Sequence, residues 1–264
     1  VDLIFKRLDY RVVTLYFGMA LILPIIQIFQ SLNKRLLVSN TFFDSPYTKW
    51  IGIDSFHFSA TAFYLLLPLL AALPVSTLIR KDLEIGFFAQ LQVRIGMRAV
   101  FKSYFLCAVT MGAVIVMIPL LINLAGYFLL LPDSHPDHLL NNNILVINRN
   151  TLLVSLYYQH PLMHALLSIL FAGFWGSLFS VFCLGWSLLI SNRFVALTMG
   201  FILQLGMILF QGMTDLAATF VPMYFVTETS QNDLQVGLVI LITSIMIVAT
   251  SLLAIGGRRY RIVM

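Results

Sequence analysis

Charge is what this chain most lacks. Only 10% of its 264 residues are Asp, Glu, Lys or Arg, less than half of the roughly 25% typical of soluble domains. A water-facing surface cannot be covered with so few charges, so a soluble globular protein is excluded. Cysteine is also scarce: Cys107 and Cys183 are the only two, and both fall inside apolar runs. A disulfide framework is not expected from such a pair. The phosphate cradle Gly-x-x-x-x-Gly-Lys-Ser/Thr does not occur anywhere, so the chain is not a Walker-type ATPase in its own right. His-Glu-x-x-His is missing too, which removes the zinc-protease route. There is no internal repeat, no low-complexity tract and no room for a separate soluble domain, so residues 1–264 read as one transmembrane domain.

What is present is apolar. Hydrophobic residues make up 60% of the chain, with 22 Phe and 11 Met. Six uncharged runs stand out: Val12 to Asn33, Phe58 to Ile79, Ser103 to Pro132, Ala165 to Asn192, Phe194 to Thr214 and Leu234 to Gly257. About 20 helical residues cross a ~30 Å hydrocarbon core, and the short alternating segments of a β-barrel are not seen. The expected fold is an all-α integral membrane protein with six spans. The first run is too long for a cleavable leader and lacks a small-residue cleavage site, so it reads as the first span.

The net charge of +5 invites nucleic acid as a partner, but its distribution argues for topology instead. With six spans, one side collects Lys6, Arg7, Arg11, Arg80, Lys81, Arg94, Arg98, Lys102, Arg193, Arg258, Arg259 and Arg261; the other has Lys34, Arg35, Lys49 and Arg149. The positive-inside rule places the basic side, with both termini, in the cytoplasm. The stretch Leu3 to Arg11, with Phe5, Lys6, Arg7 and Arg11, is expected to lie as an amphipathic helix on the inner leaflet.

Other local signals give finer expectations. Trp50, Tyr47, Phe42 and Phe43 look like headgroup-level anchors on the opposite side. Pro68, Pro74 and Pro119 mark kinks within spans. Gly173, Gly176, Ser177, Ser180 and Gly185 offer small residues for close helix approach. Leu216 to Val226, broken by Pro222, is too short to cross and suits an outer re-entrant or interfacial hairpin. The segment 133–164 has strand-like or interfacial character in its second half, and its structure is left open.

Candidate chemistry is sparse. His135 and His138, or His160 and His164, have metal-compatible spacing, but no Cys or Glu accompanies them and Pro136 and Pro161 disrupt helical geometry. Solvated or interfacial histidines are the expectation, and no metal site. The six runs contain no ionisable residue, which disfavours a proton- or sodium-coupled carrier.

The segment between the second and third runs is richer. Leu83, Phe87, Leu91 and Ile95 recur every four residues, with Phe88 alongside, the pattern of one helical face. Asp82 and Glu84 lie near the start of that candidate helix and Arg94 and Arg98 near its end, the order that suits a helix dipole. Such a helix either lies on the inner leaflet or docks in the groove of a cytoplasmic partner.

The run from Arg80 to Phe105 resembles the connection between the second and third spans of ABC-2 type exporter permeases. The matching positions are Glu84, Gly86, Leu91, Arg98 and Lys102; Phe87 and Gly96 depart from the pattern, where the family often has Thr and Pro. The resemblance implies that Asp82 to Gln92, including Leu83, Glu84, Gly86, Phe87, Phe88 and Leu91, is a coupling helix seated in an ATPase subunit. It implies two ATPase subunits, a second permease chain as homo- or heterodimer, and ATP and Mg bound by the partner, with no cofactor or catalytic residue in this chain. The implied activity is outward export of a hydrophobic or amphipathic substrate such as a peptide, antimicrobial, drug or lipid, at the plasma membrane of a prokaryote. The alternative is an integral membrane enzyme or assembly factor acting on lipid or peptide through His, Asp and Asn at the outer face.

Overall fold

A computed structural model describes residues 2–37, 44–54, 57–136, 151–214, 216–228 and 233–263. Among these residues the chain is helical, with no strand and a single isolated bridge between Ala218 and Asp233. Eleven helices follow in order: α1 Asp2–Phe5, α2 Tyr10–Leu37, α3 Pro46–Lys49, α4 Phe58–Glu84, α5 Phe87–Ile95, α6 Met97–Leu130, α7 Val154–Gln159, α8 Pro161–Leu189, α9 Arg193–Gly212, α10 Pro222–Thr227 and α11 Val236–Val263. Six of them, α2, α4, α6, α8, α9 and α11, are long and apolar enough to cross a membrane.

The six are not equal. The most apolar stretch of α4 is 72% buried and that of α8 61%, against 17% for α2 and 22% for both α9 and α11. The bundle is therefore built around α4 and α8, with α6 packed along both and α2, α9 and α11 outside. Between apolar helices in lipid, close packing and hydrogen bonds hold the assembly, because lipid tails are as apolar as the side chains. At the α6–α8 contact a Cβ on Gly112 would stand 2.8 Å from the Gly176 carbonyl oxygen, and one on Gly176 would stand 2.6 Å from that of Gly112. Gly173 and Gly185 of the small-residue series serve likewise, against Met117 and against α11 at Leu253 and Ala254. Ser177 Oγ donates to the Val109 carbonyl at 2.7 Å across the same contact. Cys107 and Cys183 are free and buried.

Several boundaries differ from those read in the sequence. The second span runs on through Arg80, Lys81, Asp82 and Glu84 as helix, since a helix stops at a backbone signal and not at a charge. That signal is Gly86, at φ 73°, in the left-handed region that glycine enters without steric cost. The helix foreseen from Asp82 to Gln92 is thus two helices, joined at Ile85 and Gly86. The surface helix foreseen from Leu3 to Arg11 is one turn, α1; Lys6 to Leu8 form a turn and bend, and Arg11 belongs to α2. Pro161 opens α8 instead of disrupting it, because proline suits the first helical position.

The anchor assignment also changes. Trp50 is fully buried and Tyr47 nearly so, both within the main core, while Phe42 and Phe43 lie outside the described residues. Trp50 folds back over Gly52, where any Cβ would collide with its ring. The short helix α10 is likewise packed inside: Pro222, Met223, Phe225, Val226 and Thr227 are buried, with Phe225 against Trp175 and Phe171 at 5.3 and 6.1 Å between ring centroids. In the open segment, 154–159 is helix α7, and 137–150 lie outside the described residues.

Candidate functional site

Most of the residues singled out between the second and third spans gather at one end of the bundle. Asp82, in the last turn of α4, is fully buried. Its carboxylate accepts from Arg7 Nη2 at 2.7 Å and from the Tyr104 hydroxyl of α6 at 2.5 Å. The Arg7 guanidinium also lies over the Phe87 ring, 3.6 Å from its centroid, an orientation in which the cation meets the negative face of the ring. Phe88 stacks near Tyr104 with centroids 5.8 Å apart. One arginine thus ties the N-terminal segment, α4 and α5 together, with Asp82 carrying the tie on to α6. Behind them Ile4, Val75, Ile79, Phe88, Leu91, Val100 and Tyr104 form a second buried cluster.

This packing decides which faces of α5 are free. Asp82, Phe88 and Leu91 point into the bundle and Leu83 and Phe87 are half-buried, whereas Glu84, Ile85, Ala89, Gln90, Val93, Arg94 and Ile95 are exposed. Val93 is the extreme case at 89% exposure. The side of α5 available to a partner is accordingly the one carrying Ala89 and Val93, and Ile85 is exposed at the junction before it. Gly96 closes α5 at φ 79°, so the nine-residue helix hangs between two glycines. Of the expected surface residues, Phe5 packs on the second cluster, Lys6 is exposed, and Arg11 is exposed beside Tyr10.

Next to the tie is a cavity of about 530 Å³ between the N-terminal segment, α2, α4 and α9. Leu8, Val12, Tyr16, Leu73, Pro74, Leu78, Phe194 and Leu197 make its apolar walls, and Arg7, Asp9, Lys81, Glu84 and Arg193 supply charge of both signs. Tyr16 and Thr77 hydroxyls meet at 3.3 Å within it. Its volume lies in the range of small-molecule sites, and the combination suits a molecule with an apolar body and a polar end.

The opposite end carries buried polar groups that the sequence did not announce. Gln27 Nε2 donates to Asp54 Oδ2 at 2.6 Å and to the Lys49 carbonyl at 3.0 Å. Asn123 Nδ2 donates to Gln27 Oε1 at 2.8 Å and its Oδ1 accepts from the Ile51 amide at 2.9 Å. His57 Nδ1 sits 2.5 Å from Asp54 Oδ2. His164 is 2% exposed, in α8, within reach of Glu228. The expectation of solvated or interfacial histidines is therefore wrong for His164; His57 is partly exposed, His135 and His160 lie at the surface, and His138 is outside the described residues. Among the described residues no three His, Cys, Asp or Glu side chains converge as a metal site would require.

No family model, curated protein or solved structure matches the chain.

Proposed function

We propose that the chain is the membrane-spanning permease subunit of an ATP-driven ABC exporter. It translocates a hydrophobic or amphipathic substrate outward, with energy from two separate ATPase subunits that bind ATP and Mg. The observation that carries this reading is the mounting of α5. A short helix with an exposed apolar edge, framed by Gly86 and Gly96, is geared through Arg7, Asp82 and Tyr104 to three other parts of the bundle. Force applied to Val93 and Ile85 reaches the ends of α4 and α6 directly. The mixed-charge cavity lies alongside, where the same movement would open or close it. On this reading the basic end faces the cytoplasm of a prokaryotic cell, and a second permease chain completes the transporter.

The test is purification of the full tagged chain from its native host in mild detergent, followed by an ATP-hydrolysis assay on the eluate. Native chain should bring down a P-loop ATPase with measurable turnover, and Val93→Asp, on a fully exposed edge, should lose it while eluting as a folded protein. Retention of the ATPase by both Val93→Asp and Ile85→Asp, or its absence from the native preparation, overturns the proposal.

A further inference from the structure

We propose that the cavity beside the Arg7–Asp82 tie binds an anionic phospholipid of the adjoining leaflet, with the phosphodiester held by Lys81 and Arg193. Its lining is graded along the bundle. On α4 it consists of Leu73, Pro74, Thr77, Leu78, Lys81 and Glu84, a spacing of three and four that keeps them on one helical face. Lys81 stands in the last turn of α4, and Leu73 lies about 12 Å deeper at 1.5 Å per residue. The other walls repeat the order: Asp9 precedes Val12, Val13 and Tyr16 along α2, and Arg193 precedes Leu197 along α9. Charge is thus at the mouth and apolar surface below it, the order of a lipid headgroup and its chains.

The charges select the headgroup. Arg7 is matched by Asp82 at 2.7 Å, and Glu84 lies 3.8 Å from Arg80. Among the described residues Lys81 and Arg193 have no acidic partner, while the Asp9 carboxylate accepts from the Arg11 amide at 3.0 Å. Two cations against one carboxylate leave a surplus of one positive charge, which a phosphodiester balances. Arg7 Nε is buried without a hydrogen-bond partner and is a further donor on the same wall. Arg193 also opens α9, where the positive end of the helix dipole favours an anion. Basic pockets between spans are a known setting for acidic headgroups.

The apolar walls decide between a lipid and a free anion. A free anion would leave them facing water, whereas an acyl chain covers them. The chains also have a way onward, since Val12, Leu15 and Met19 recur at helical spacing on α2 and are exposed. Lipid binding here is independent of whether the chain exports anything.

The experiment is native mass spectrometry of the full chain, delipidated in detergent and titrated with dioleoylphosphatidylglycerol or dioleoylphosphatidylcholine. The anionic lipid should bind about fivefold tighter or more, the share of one charge near a surface. Lys81→Gln combined with Arg193→Gln should weaken it roughly thirtyfold, the share of two. Arg98→Gln combined with Lys102→Gln, exposed cations outside the cavity, should leave it unchanged. Val13→Trp fills apolar space without touching a charge and should also weaken binding, and excess inorganic phosphate should not displace the lipid. Equal affinity for the two lipids, unaltered affinity in the Lys81 and Arg193 variant or in Val13→Trp, an equal loss in the Arg98 and Lys102 variant, or displacement by phosphate would overturn the site. Two chains per particle with no lipid bound would overturn it as well, and give the cavity to a second copy.

Discussion

Gln204 of α9 donates from one amide nitrogen to the carbonyls of Tyr64 and Leu65 in α4, both at 3.0 Å. Tyr64 precedes Pro68 by four residues, and a proline supplies no N–H to the carbonyl one turn back. The kink and the glutamine are thus a matched pair from different spans.

Gln204→Leu should lower stability by about 1–3 kcal/mol, the cost of leaving a buried acceptor unmade. In a Pro68→Ala background, where the helix regains its N–H, the same substitution should cost much less. Thermal unfolding of the two single variants and the double variant in detergent measures the coupling, which should be positive and above 0.5 kcal/mol, as for contacting residues.

Removing one partner of a buried ion pair strands the other. Asp82→Ala should therefore destabilise the fold by about 3 kcal/mol, the low end of that class because Arg7 keeps access to water. Asp82→Asn keeps an acceptor for Tyr104 and should lose less. Limited proteolysis offers an independent measure: cleavage after Arg94 should quicken in Asp82→Ala as α5 loosens, with the six long helices still intact.

The glycines separate two physical effects. Gly112→Val and Gly176→Val meet backbone across the α6–α8 contact and should each cost roughly 1–3 kcal/mol or more from overpacking. Gly86→Ala meets nothing within 4 Å, yet should cost about 1–2 kcal/mol because its backbone is left-handed. Unfolding midpoints of the three variants, set beside Gly18→Ala in open space, would show the order.

How much was legible in advance depends on the range of each cause. The six long helices could be read because apolar runs are local and a span is one run. The small-residue contact along α8 could be read for the same reason. The tie between Arg7 and Asp82 spans 75 positions, and that between Tyr104 and Asp82 spans 22; no spacing rule joins them. Spacing marks Phe87, Phe88 and Leu91 as one apolar face but cannot tell what covers it; Phe88 and Leu91 are buried against the bundle. Trp50 and Tyr47 were read from the habit of aromatic rings to sit at membrane interfaces, but Gly52 lets the chain turn and fold Trp50 inward. His164 carries no sign of burial in the sequence because the uncharged run starts at Ala165, one turn inside the helix that opens at Pro161. Glu228 had no signal of its own, being polar in a polar loop.

Cys107 and Cys183 lie wholly inside the bundle, and there are no other sulfhydryls in the sequence. A thiol installed at Val93 would be the first that an aqueous reagent could reach. The native chain is thus its own silent background for spin labels and fluorophores, and each position on α5 could be interrogated singly without first engineering anything away.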